Sequence, residues 1–427
     1  VNTGAMTLNG DTVSGTATLI NDTAGTLSGR GVISAPFFNA GRLVVDSGSL
    51  RIDRESFENT GRIVMGSATA TLSGGVVYNR GRIEGQGQIN NPISNTGTIS
   101  ALGSGTTLTL GPVDNLNYGG PNVGTLVAGS GATLLLAAGL TDDNLGTIRL
   151  AGGTFDSNGT GIVNGSTGVI SGFGTLHAGS VLNQGRILLS GGVSELHADV
   201  VNAAASPGVL AGQIILSGNS NTTFYGKVDV QSGAELRVST GSVATFFGLV
   251  QQRTGARFTG AGAKRFEGGV SVGASPGMGR DEGDVEFGDG NFYLAEIGGI
   301  TACTLACGTD DALKNSSFDK YIVDGNLSLA GTLRLVSWNG FTAKAGQHFD
   351  LLDWGHLSGQ FDSIDASGFK LAAGTQLDFS QLYTSGEVLV TTSAVPEPAT
   401  TALWLAGLGA MGWLARRRRN LPERALD

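Results

Sequence analysis

Few charged or nucleophilic side chains in this 427-residue sequence are grouped closely enough to support chemistry. The densest acidic group is Asp281-Glu282-Gly283-Asp284, with Glu286 and Asp289 close behind. Carboxylates at that spacing could supply oxygen ligands to calcium, or the paired acid and base of a glycosidase. The segment follows neither the EF-hand loop nor the nonapeptide calcium repeat. It reads first as a solvated loop and second as a weak calcium site on Asp281, Glu282 and Asp284; no other metal or cofactor is expected. Cys303 and Cys307 share one loop with Asp310, Asp311 and Asp319 close by. The pair fits a local disulfide in an oxidising compartment, ahead of two free thiols or half of a metal site. His177 and His197 lie 20 positions apart. They have no evident third ligand, so they read as strand residues rather than a metal centre. No Ser opens a helix in a Gly-x-Ser-x-Gly setting, and no phosphate-binding glycine loop joins a strand to a helix. No catalytic residue is expected.

The other chemistry is that of being processed. Val395-Pro396-Glu397-Pro398 leads into a run from Ala399 to Ala415 without charge, followed by Arg416, Arg417, Arg418 and Arg419. Prolines fix φ and remove backbone donors, which keeps Pro396, Glu397 and Pro398 open to another protein's active site. The apolar run is at the lower limit for a membrane-crossing helix, so a single C-terminal transmembrane helix over 399–415 is expected. The arginines would hold its end on the cytoplasmic side.

Behind these residues lies a repeat. Asn39-Ala40-Gly41-Arg42-Leu43 returns as Asn59-Thr60-Gly61-Arg62-Ile63 and Asn79-Arg80-Gly81-Arg82-Ile83, 20 residues apart each time. Variants follow at Asn95, Asn144 and Asn183, and Phe224, Phe246 and Phe266 form another register. The units are β-branched, alternating and glycine-rich, which opposes a helical repeat. They predict an all-β, parallel β-helix (β-solenoid) of about 20 residues per coil, with about three short strands in each. Leu43, Ile63 and Ile83 should stack in its interior, as should Phe224, Phe246 and Phe266. Asn and Gly should take the corners, where φ can be positive, and stacked Asn amides can bond from coil to coil. Arg42, Arg62 and Arg82 should face outward, with Asp46, Asp53 or Glu84 relieving their mutual repulsion.

Composition agrees with an exported rod. Charged residues make up only 14%, and Gly reaches 71, well above the usual share of about 7%. The net charge is −9; the stretch from Arg416 carries +3, leaving −12 on the remainder. An acidic body of this kind is a poor partner for nucleic acid. The sequence opens at Val1 within a repeat unit, so an N-terminal portion with an export signal is expected to precede it.

The order Pro-Glu-Pro, short hydrophobic helix and basic cluster closely resembles the PEP-CTERM sorting signal of Gram-negative envelope proteins. That resemblance implies recognition by an exosortase at the inner membrane, cleavage near Pro396–Pro398, and a host that makes an exopolysaccharide matrix. A plain tail anchor is the alternative. Beyond Lys264, the Ser275-Pro276-Gly277 turn, Phe318-Asp319-Lys320-Tyr321 and Gly359-Gln360-Phe361 resemble the C-terminal part of autotransporter-type adhesin passengers. This implies a β-rich region that caps the solenoid. No barrel translocator is seen after Thr392, so a different export route is expected. Three parts result: solenoid repeats over 1–263, a capping region over 264–392 and the sorting signal over 393–427. The function expected is a non-enzymatic surface or matrix protein, in adhesion, biofilm or exopolysaccharide association. A surface-displayed β-helix polysaccharide lyase or hydrolase is the alternative.

Overall fold

The computed structural model describes residues 1–111, 122–137, 142–273, 276–301, 317–393 and 398–419. Strands form where the sequence alternates. In Arg186–Ser190, Ile187 and Leu189 are buried while Arg186 and Ser190 are exposed, as alternate side chains on a pleated strand must be. One coil is built from Asp142–Asn144 and then Thr147–Asp156, which turns at Gly152 to supply two faces. The next coil starts at Gly161–Asn164 and pairs in parallel with the first. The described strands make one 35-stranded sheet with parallel pairing, and a small antiparallel sheet of His348–Asp350, Thr375–Asp378 and Glu387–Thr392. This connectivity fits a β-solenoid.

The expected registers are present. Leu43, Ile63 and Ile83 are consecutive Cα partners, and the same inward ladder runs on through Ile99, Ile148, Ile187 and Leu236 to Phe258. Each fully buried aliphatic rung contributes about 1.5–3 kcal/mol. Phe224, Phe246 and Phe266 stack with ring centroids 5.0 and 5.2 Å apart. Arg42, Arg62 and Arg82 are partners on the outside. Glu84 relieves them, bonding Arg62 and lying 3.6 Å from Arg82, whereas Asp53 pairs with Arg51 beside it.

The asparagines meet the expectation of bonding from coil to coil but not that of positive φ: Asn21, Asn39, Asn59 and Asn79 are fully buried, and among the described residues the Asn with positive φ are Asn158, Asn219 and Asn339. From Asn2 to Asn202 each side-chain amide donates to the next coil's Oδ1 at 2.7–3.0 Å. The glycine of Asn-x-Gly answers to crowding rather than to dihedral freedom. A Cβ on Gly61 would meet the Gly41 carbonyl oxygen at 2.2 Å.

The tail needs a second correction. A helix forms over Pro398–Arg419, yet among the described residues no helix is long and apolar enough to cross a membrane. At ~1.5 Å per residue the uncharged run reaches about 25 Å, short of the ~30 Å hydrocarbon core. Thr400, Thr401, Gly407, Gly409 and Gly412 dilute it further.

Candidate functional site

Alternation along each strand gives the solenoid an outer face as regular as its inner one. Leu176 points inward and His177 outward, and the pair repeats in register as Leu196 and His197. One coil on, Phe224 is buried and Tyr225 exposed; on the next, Phe246 is buried and Phe247 exposed. The outward rings line up. His177 meets His197 edge-on at 4.6 Å, His197 stacks on Tyr225 at 4.2 Å, and Tyr225 stacks on Phe247 at 5.6 Å. Tyr225 is 42% and Phe247 51% exposed. Carboxylates flank the strip: Asp156 Oδ2 is 4.0 Å from His177 Nδ1, and Glu195 Oε2 is 3.7 Å from His197 Nε2. A surface strip of aromatic edges with acids and imidazoles beside it offers apolar contact and hydrogen bonding together.

Sequence reasoning placed His177 and His197 as neighbours and found Phe224 and Phe246, but did not see that Tyr225 and Phe247 extend the strip. The signal was present, since the residue after an inward rung must point outward.

The acidic group from Asp281 to Asp284 does not converge. Asp281 is buried, facing Lys264 and Tyr321. Glu282 Oε2 accepts from the Gly260 amide at 3.0 Å, and Asp284 Oδ1 accepts from the Asn326 backbone and side chain at 2.9 Å each. Asp281, Glu282 and Asp284 thus each serve different partners. No group of three potential ligands capable of holding a metal occurs among the described residues. Cys303, Cys307, Asp310 and Asp311 lie outside those residues.

Two of the motifs beyond Lys264, the turn at Gly277 and the Phe318–Tyr321 stretch, meet instead at Asp319. Its Oδ1 accepts from the Gly277 amide at 2.7 Å and its Oδ2 from the Glu296 amide at 2.9 Å, tying the turn at Gly277 to the strand Phe292–Ile297. Burial pushes the Asp319 carboxyl well above the usual range, against the opposing pull of these two amides. Lys320 next to it bonds Asp350 and lies 2.7 Å from Asp353.

In the tail, Pro396 and Glu397 lie outside the described residues, and Pro398 begins the helix. Leu403, Trp404, Leu408, Met411, Trp413 and Leu414 are each more than half exposed. Arg417 sits over the Trp413 ring at 4.9 Å, and Arg416 is exposed beside it. Arg418 and Arg419 complete the helix.

Residues 394–419 match the PEP-CTERM protein-sorting motif. The motif indicates exosortase-dependent sorting, with export to the cell envelope or surface of a Gram-negative bacterium. The long parallel sheet ahead of it is consistent with a β-solenoid passenger. No curated protein sequence matches the chain.

Proposed function

We propose that the chain is a non-enzymatic cell-surface or extracellular-matrix protein: a solenoid rod, capped by 264–392, that binds exopolysaccharide or a similar surface polymer in adhesion or biofilm formation. The supporting observation is the exposed strip of His177, His197, Tyr225 and Phe247 on successive coils. Its spacing repeats along the rod axis, so a polymer lying along that axis meets one contact after another. Contacts too weak to hold singly add up, because each bound one raises the effective concentration of the next. The dispersal of Asp281, Glu282 and Asp284 among separate partners supports a binding rather than a hydrolytic role.

Co-sedimentation of the folded chain with exopolysaccharide from a Gram-negative biofilm tests this reading. Tyr225→Ala with Phe247→Ala should lower the retained fraction about tenfold, the equivalent of ~1.4 kcal/mol. Unchanged retention would remove the strip from the account. Release of oligosaccharide by the unaltered chain would instead make it a lyase or hydrolase, and self-association without glycan binding would make it a structural layer.

A further inference from the structure

The inward ladder that is aliphatic or aromatic from Leu27 to Phe258 carries an acid on its next rung. Asp281 is the Cα partner of Phe258 on one side and of Val323 on the other, and it is fully buried. A second inward ladder runs Thr222, Ala244, Lys264, Val285, and there the base Lys264 is also fully buried. Two misplaced rungs of opposite charge face each other: Lys264 Nζ is 3.2 Å from Asp281 Oδ1. Tyr321 beside the pair is itself packed among aromatic rings, with Phe287 stacked at 6.0 Å and Tyr293 at 6.0 Å. Tyr321 donates its hydroxyl hydrogen to Asp281 Oδ2, and Lys264 Nζ donates to the Glu282 carbonyl oxygen. Oδ1 is thus left facing the ammonium as its ion-pair partner.

We infer that Lys264 and Asp281 condense into an intramolecular isopeptide bond, with the Tyr321 hydroxyl as the hydrogen-bond donor that stabilises the oxyanion. The ammonium first passes a proton to Oδ1, giving a neutral amine and a neutral carboxylic acid. The amine lone pair then attacks Cγ while the Tyr321 hydroxyl stabilises the charge gathering on Oδ2. Cγ–Oδ1 breaks, Oδ1 takes a second proton from Nζ, and one water leaves. An ammonium and a carboxylate become an amide and a water, with no oxidant or co-reactant.

In water the ions would be favoured, because hydration stabilises both charges. Inside this core that hydration is gone, and isolated buried charges are costly. Burial also raises the affinity of Asp281 for its proton, the direction the first step needs. Fixed contact replaces a bimolecular encounter with one of effective molarity on the order of 10⁵ M or more. The bond would also brace a thin place, since Met278–Asp281 pairs with Arg257–Thr259 through Phe258 and Asp281 alone.

Mass spectrometry of the reduced, denatured full chain decides the matter. The intact mass should be one water below that of the sequence, and digestion should yield a branched peptide joining Lys264 to Asp281. Lys264→Arg should restore the full mass, and Tyr321→Phe should leave a fraction of molecules unlinked. A full intact mass, with Lys264 and Asp281 recovered on separate linear peptides, would overturn the inference. Loss of water without a branched peptide would mark a succinimide and overturn it as well. The unaltered chain alone suffices if a variant does not fold.

Discussion

Asn59 shows how one residue type serves the whole rod. It donates to Asn79 and accepts from Asn39, both at 2.7 Å and with no exposure to water. Asn59→Ala would strand a donor on one coil and an acceptor on another, each costing about 1–3 kcal/mol. Urea unfolding should therefore show a loss of about 2–6 kcal/mol. Asp319 gives a second prediction, about pH. Its folded pKa lies above that of the unfolded chain because burial disfavours the charge. The folded state thus holds a proton that the unfolded chain releases near pH ~3.9. The resulting stability is fully present below that pH and is lost as pH rises through the raised value. The melting temperature should fall over that window, and Asp319→Asn should flatten the slope. Sequence reasoning recovered the Asn spacing at 39, 59 and 79 because those coils have equal length. It missed Asn122 because 27 residues separate it from Asn95, and it missed Asn164 and Asn202, at ordinary spacings of 20 and 19, because neither opens an Asn-x-Gly-x-Ile unit.

At the scale of the element, the strand Val169–Asn183 has to turn a corner, where its pairing with Thr147–Asp156 shifts register. Gly172 permits this, with φ of +96° and a virtual Cβ only 2.0 Å from the Leu150 carbonyl oxygen. Gly172→Val would combine an unfavourable dihedral with a backbone collision and should cost about 1–3 kcal/mol or more. Faster amide hydrogen exchange in Val169–Asn183 and its partner Thr147–Asp156 would report it. The strands were legible because alternation and a fixed period speak for themselves. The tail helix was legible as a helix, but its reach was not: hydrophobicity without charge suggested a span, while length and the glycines at 407, 409 and 412 decide against one. The Lys264–Asp281 contact was hidden for a different reason. An acidic run reads as solvated until the ladder register shows that Asp281 falls on an inward rung.

For the molecule as a whole, each coil touches chiefly its neighbours, so stability should accumulate locally rather than all at once. Asn59→Ala should lower exchange protection in Arg42–Val45, Arg62–Asn79 and Arg82–Ile89 while leaving Glu387–Thr392 untouched. A uniform loss across the chain would mean a single cooperative unit instead. The asparagine ladder carries one more consequence. Every amide from Asn2 to Asn202 points its N–H the same way, toward higher residue numbers. Each amide has a dipole of roughly 3.5 D, and aligned in a dry interior these sum head to tail into a permanent electrical axis. The rod therefore has a positive and a negative pole independent of its net charge, and two rods lying side by side are biased toward opposite orientations.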